Sequence, residues 1–377
     1  MNIRKTLATI CFLLISFQAQ AWNEVLYQQA TQSMQALLDT MEQRRVGEQM
    51  LLYQRSTGGW PKNIDMSRPL TEEERLQVMK DKQRQDDSTI DNGATTTQMS
   101  YLARLYQLTG DQRFKEAFLQ GVAFLLNGQY ANGGWPQFWP EMRGYQTHIT
   151  YNDDAMVHTM LMLRDIKQQR TPYQGDLTDE TLRARVSKAF DKGIECILNT
   201  QIIVDGQPTI WCQQHDRETL LPAPARAYEL PSFCPVESTP IIELLMELEH
   251  PSDRVIQAVN AAMSWIDQHK LTGYRLEHTG QKGSPDRDTR LAPDEHAAPL
   301  WARFYDLQRG EPFVCDRDGI PRRRLEQIGS ERRNGYSWYS DRPARLYPLY
   351  QQWIQKHNVR HPAAVSLSSK GGNETGK

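Results

Sequence analysis

Three tryptophans, Trp60, Trp135 and Trp211, stand 75 and 76 residues apart (135 − 60 and 211 − 135). The first two lie in near-copies of one loop, GGWPKNIDM (58–66) and YANGGWPQFWP (130–140), and Val204–Gln214 repeats the pattern less faithfully. Between each successive pair the apolar residues fall at helical spacing in two segments: Ala94–Leu108 with Gln112–Tyr130, then Asp154–Gln169 with Thr181–Asn199. Asp111, after the Thr109-Gly110 turn, is placed to cap the second helix of the first pair. A repeat of this length cannot bury its apolar faces alone and must stack on its neighbours. The expectation is an all-α ring of helical hairpins, each delivering a Trp loop to the same end around one central cleft. Further helices are expected over Glu24–Gln43, Val236–Leu248, Ser252–His269, Glu295–Arg309 and Ala344–His357, with Glu72–Asp87 as a solvated excursion.

The chain ends read differently. Arg4 and Lys5, the apolar run Leu7–Phe17 and Ala19-Gln20-Ala21 have the order of a secretory signal with its cleavage site. That run is too short to span a bilayer, and no later stretch is apolar enough. The expected organisation is a signal peptide at 1–21, a single toroid at 22–357 and a disordered polar tail at 358–377. The mature protein is expected to be soluble, free of the membrane, and periplasmic or extracellular. Cys196, Cys212, Cys234 and Cys315 would remain, with three possible pairings in an oxidising compartment. None has zinc spacing. A net charge of −2 lacks the basic excess of a nucleic-acid binder.

Candidate chemistry sits in the loops. In TIWCQQHDRETLLPAPARAYELPS (209–232), Pro222 and Pro224 precede Arg226 and Pro231 follows it, which stiffens an irregular segment. By itself this is a braced turn with a salt bridge. Asp91-Asn92 and Asn152-Asp153-Asp154 stand where loops become helices and offer carboxylate and amide oxygens suited to a hard cation. A helix N-cap is the competing reading, equal for Asp91 and stronger for Asp154. Lys62, Arg287, Arg290 and Arg303 are candidates for binding carboxylates, Arg in bidentate fashion. Tyr336, Trp338 and Tyr339 are placed either to stack on sugar faces or to fill the core.

Taken in order, GGWPKNIDM, TIDNGATTTQMSYLARLY (89–106), YANGGWPQFWP, ITYNDDAM (149–156), the 209–232 stretch and the Arg-rich region Ser284–Tyr339 resemble the family 10 pectate lyases of the polysaccharide lyase classification. The resemblance spans most of the mature chain. It implies an (α/α)3 toroid with long loops and little β-structure that cleaves polygalacturonate or oligogalacturonate by calcium-assisted β-elimination; a monomer is expected. It implies Arg226 as the catalytic base and makes Asp91 and Asp153 the expected calcium ligands. Lys62, Asn92, Arg287, Arg290, Arg303 and Tyr336 are the expected substrate-binding residues. A guanidinium is normally protonated, so Arg226 serves as base only where its charged form is disfavoured or at high pH. Three rivals stand beside this reading. Gln54-x-x-x-Gly58-x-Trp60 and Gln129-x-x-x-Gly133-x-Trp135 also resemble terpenoid cyclase repeats, but no D-x-D-D motif is present. A non-catalytic binder of acidic polysaccharide would use the same arginines and aromatics. A glycoside hydrolase toroid would need an acid/base carboxylate pair.

Overall fold

The computed structural model describes residues 39–281, 283–284 and 286–359. The expected signal segment, most of the first expected helix and the tail beyond 359 lie outside these residues. Helix α1 occupies 39–53. Helix α2, Glu72–Asp81, is the solvated excursion: Thr71 and Glu74 cap it reciprocally and Val78 is its one buried residue.

Three hairpins follow: α3 (Thr96–Thr109) with α4 (Gln112–Gly128), α5 (Ala155–Lys167) with α6 (Glu180–Thr200), and α7 (Pro235–Met246) with α8 (Asp253–Gln268). Asp111 caps α4 as expected, accepting from the Arg113 N–H at 3.1 Å. Helix α3 packs on α5 and α5 on α7, while α4 packs on α6 and α6 on α8. Helix α7 is buried on nearly every side, which marks the inner ring. After the short α9 (Ser330–Gly335), helix α10 (Leu346–His357) packs against α7. The result is the (α/α)3 toroid. Its β-structure is limited to two- and three-stranded ribbons, and no described helix is long and apolar enough to cross a membrane.

The tryptophan loops are fixed to this ring by hydrogen bonds that repeat. The indole N–H of Trp60 donates to the Met50 carbonyl, that of Trp135 to Leu125 and that of Trp211 to Ile197, at 2.8, 2.7 and 2.7 Å. Each acceptor lies in the last turn of an outer helix, α1, α4 or α6, so all three loops emerge at one end of the ring. The residue just past each of those helices is a glutamine. Gln54 donates to the Gly58 and Ala117 carbonyls, Gln129 to Gly133 and Ala189, and Gln201 to Thr209 and Ala258. Every glutamine thus fastens its own loop and also the next outer helix. The Q-x-x-x-G-x-W pattern is therefore a scaffold device. Its glycines are obligatory, because Gly58 and Gly133 have φ of 92° and 96° and an added Cβ would lie 2.3 Å from the Gln120 carbonyl oxygen and 2.0 Å from that of Lys192.

One expected helix is absent. Residues 295–309 form two short strands, Trp301–Ala302 and Phe304–Tyr305, paired with Tyr339–Ser340 and Pro312–Cys315 respectively. Pro299 interrupts the run, and the aromatics behind it suit an extended chain. Trp301 is nonetheless a fourth member of the series: its indole N–H donates to the Ile266 carbonyl near the end of α8, at 2.8 Å. Preceding it is an antiparallel hairpin, Tyr274–Thr279 with Asp288–Pro293. All four described cysteines are buried free thiols.

Candidate active site

The Trp loops share their end of the ring with the N-termini of the inner helices. Two matching single turns, Asp91–Gly93 and Asn152–Asp154, lead into α3 and α5 and pack on each other. The middle residue of each is left-handed, Asn92 with φ of 52° and Asp153 with φ of 50°. Asn and Asp tolerate that region better than other non-glycine residues. The turns bring Asp91 and Asp153 close enough to interact. Burial, and next the charge of Asp91, raise the Asp153 carboxyl above its ordinary pKa, while Arg303, a hydrogen bond from Asn152 and Arg226 oppose the shift. Asp91 is 1% exposed. Its carboxylate receives Lys62 Nζ, Gln137 Nε2 at 2.8 Å and the Asn92 N–H at 3.0 Å. The Asn92 amide itself donates to Asn63 at 3.0 Å. Asp154 is no N-cap by side chain: it is left-handed and makes no capping bond to α5. Its carboxylate accepts from Arg342 instead, through Nη1 at 3.0 Å and also Nη2.

A register emerges that the sequence alone did not display. Lys62, Gln137, Gln213 and Arg303 are each the second residue after an anchored tryptophan. Lys62 and Gln137 meet Asp91. Arg303 reaches Asn152 at 3.2 Å and Glu237, on the first turn of α7, at 2.5 Å. Glu237 holds Arg303 charged despite the burial that works against it. Gln213 accepts the Tyr151 and Asn152 N–H groups through its backbone carbonyl. Its side-chain amide is buried with neither atom bonded in the protein, and Gln137 Oε1 and Glu237 Oε2 share that condition.

The Pro-braced segment brings Arg226 to the same cluster. Its guanidinium is about half exposed, and it donates to Glu229 through Nε at 2.7 Å and through Nη2. The hydroxyl of Tyr336 donates to the same carboxylate at 2.7 Å. The Tyr336 ring lies 5.7 Å from the Arg226 guanidinium and 4.7 Å from that of Arg303. Trp338 and Tyr339 are buried core residues. Arg287 and Arg290 are held on the 274–293 hairpin, the first by the Gly280 carbonyl at 3.3 Å and the second by Glu277 at 2.7 Å, rather than in the cluster. His215 is structural: its ring bridges the Cys212 N–H and the Leu220 carbonyl, and burial pushes its pKa down to about 4.

The model of the pectic acid lyase family matches residues 54–347. The chain belongs to that family. Among solved structures, it resembles a family 10 polysaccharide lyase from Cellvibrio cellulosa at 32% identity and a TM-score of 0.72, over 81% of this chain and 91% of the other. An Asp-to-Ala variant of a family 10 polysaccharide lyase from Cellvibrio cellulosa, in complex with trigalacturonic acid, gives 32% identity and a TM-score of 0.73 over 81% and 92%. A search of curated proteins gave no match. Beside the residues expected from the sequence, the cluster holds Gln137, Gln213, Glu229 and Glu237, which the sequence reading did not assign to the site. The position two after each tryptophan was a usable signal for the first two. Glu229 stands three residues after Arg226, inside the braced turn for which a salt bridge was the local reading, and nothing local distinguished Glu237.

Proposed function

We propose that this chain is an exported pectate lyase that cleaves α-1,4-linked polygalacturonate by β-elimination, with calcium held at Asp91 and Asp153. The observation that carries the reading is the convergence of two carboxylates, one lysine and two arginines at the loop end of a toroid shared with a lyase solved with trigalacturonic acid. The donor set fits a hard cation: the two carboxylates lie close enough for the charge of Asp91 to raise the Asp153 pKa, and Oε1 of Gln137, whose amide donates to Asp91, is buried without a partner. Among the described residues no three acidic, His or Cys side chains converge, so substrate oxygens would complete the shell. Calcium there would stabilise charge building on the uronate carboxylate.

The remaining chemistry falls to the chain's own side chains. Lys62 and Arg303 face the substrate's carboxylates and offset their charge. Arg226 takes the C5 proton as the C4–oxygen bond breaks. In the structure Arg226 is held protonated by its hydrogen bonds to Glu229, more firmly than an ordinary arginine. A base of that strength is free in a small fraction of molecules, and the fraction grows with pH, so turnover should climb into the alkaline range. The test is the near-ultraviolet absorbance of 4,5-unsaturated product on polygalacturonate, with calcium and then with chelator. Product that forms only with calcium, and is lost in Arg226→Ala, supports the reading. Binding without unsaturated product would make the chain a polysaccharide-binding protein, and saturated reducing ends would make it a hydrolase. The segment 1–21 is the proposed export signal, tested by the N-terminal sequence of the mature protein.

A further inference from the structure

Glu229 is a carboxylate where none is expected from the reaction. It is 2% exposed, on an irregular segment three residues after Arg226. It accepts the Arg226 backbone N–H at 3.0 Å, Nε at 2.7 Å and Nη2, and it accepts the Tyr336 hydroxyl at 2.7 Å. Four donors therefore fix one carboxylate, and that carboxylate grips one edge of the guanidinium. The planar guanidinium is left with a single nitrogen, Nη1, that has no partner among the described residues. With the Nε–Nη2 edge turned toward buried Glu229, Nη1 is the nitrogen on the far side. The rings of Tyr228 and Tyr336, 5.0 and 5.7 Å from the guanidinium, limit its swing.

We propose that Glu229 is a positioning residue for the elimination: it grips Arg226 through Nε and Nη2, is itself pinned by Tyr336, and thereby presents Nη1 to the C5 hydrogen of the bound uronate. This rests on the reading of Arg226 as base. The C5–H bond breaks and its proton goes to Nη1 of the neutral guanidine. The electron pair left on C5 forms the C4–C5 double bond, and the C4–oxygen bond breaks with its pair on the departing oxygen, which takes a proton from solvent. Glu229 stays ionised throughout. Its charge stabilises the guanidinium as it forms, which makes Arg226 a stronger base and keeps it protonated to higher pH. The logic is that of a base oriented by a buried carboxylate, as in a hydrolase triad.

Two variants separate aim from charge. Glu229→Gln keeps the shape but presents an NH2 group to the guanidinium, so the two-point grip fails and the charge is lost. Glu229→Asp keeps the charge on a shorter arm. Both are measured as kcat and KM on trigalacturonate across pH, with thermal unfolding as a check of the fold, beside wild type and Arg226→Ala. In Glu229→Gln the limiting kcat should fall about 100-fold, as for a misplaced reacting group. KM should stay within about threefold, and the alkaline limb should move to lower pH by about one unit or more. In Glu229→Asp kcat should fall while the limb stays near its wild-type pH. Wild-type kcat and limb in Glu229→Gln, a loss confined to KM, or a fall in kcat with an unmoved limb would each overturn the proposal. If Arg226→Ala turns over normally, it is the base assignment that fails instead.

Discussion

Replacing Gln54 by glutamate tests what holds the ring together. The side chain is 4% exposed and spends both amide hydrogens on carbonyls, Gly58 at 2.9 Å in its own loop and Ala117 at 2.9 Å in α4. Glutamate has the same shape and no hydrogen to give when ionised. Two buried bonds worth about 1 kcal/mol each disappear, and two carbonyls then face a carboxylate instead of a donor. With the burial of charge added, the loss should reach about 3–5 kcal/mol at pH 7. At about 2 °C per kcal/mol for a chain of this size, Tm should fall about 6–10 °C. The new carboxyl would have a raised pKa in the folded state, because burial and the facing carbonyls disfavour its charge. Its penalty is therefore smallest below the pKa of the unfolded chain and grows as pH rises through the folded value, so the gap to wild type should narrow on acidification. Scanning calorimetry at several pH values measures both effects. A Gln54→Glu protein that melts with wild type at pH 7 would show that packing, not hydrogen donation, fastens the loops.

Three further outcomes are expected. Asp91→Ala should abolish most turnover with the circular dichroism spectrum unchanged, and calcium should no longer restore activity after chelation; full activity in chelator would remove the metal from the reaction. His215→Gln should flatten the acid limb of stability: the folded imidazole titrates near pH 4 against about 6.5 unfolded, so its contribution is complete above pH 6.5 and is lost between there and pH 4, up to about 3 kcal/mol, and unfolding midpoints against pH read this directly. Gln213→Leu should leave Tm unchanged or raise it, because two unbonded buried polar atoms are removed, whereas Gln137→Leu should lower the unfolding free energy by about 1–2 kcal/mol by taking a donor from Asp91.

Much of this was legible in the chain. Helix pairs announced themselves by a 3.6-residue period, and α4 through α8 begin and end within two residues of where that period places them. The polar pairs at the loop-to-helix junctions were visible locally, but they left metal ligand and N-cap as equal readings for Asp91, and only the family resemblance singled out Asp91 and Asp153. The segment 295–309 failed because its spacing mimics a helix, while Pro299 and the pull of Trp301 toward α8 decide otherwise. Glu237 was illegible for a different reason: its partner is 66 residues away in Arg303, and no local pattern encodes such a meeting; the bond of Glu229 to Arg226 is local, but its pinning by Tyr336, 107 residues away, is not. The third glutamine, Gln201, was hidden because the ribbon Ile203–Val204 with Gln207–Pro208 stretches the four-residue step to eight before Thr209.

The position two beyond each anchored tryptophan separates what the ring needs from what the cleft does. The indoles and glutamines are bound into the walls, whereas the side chains of Lys62, Gln137 and Arg303 spend their bonds on the cleft residues Asp91, Asn152 and Glu237, and that of Gln213 makes none in the protein. These four sites can change identity while the barrel of helices around them stays as it is. A descendant with arginine at 213 or glutamine at 62 would inherit the same architecture and a different appetite for charge. In that sense the cleft resembles a four-dial lock mounted on a fixed case, and variation among relatives should be concentrated on the dials.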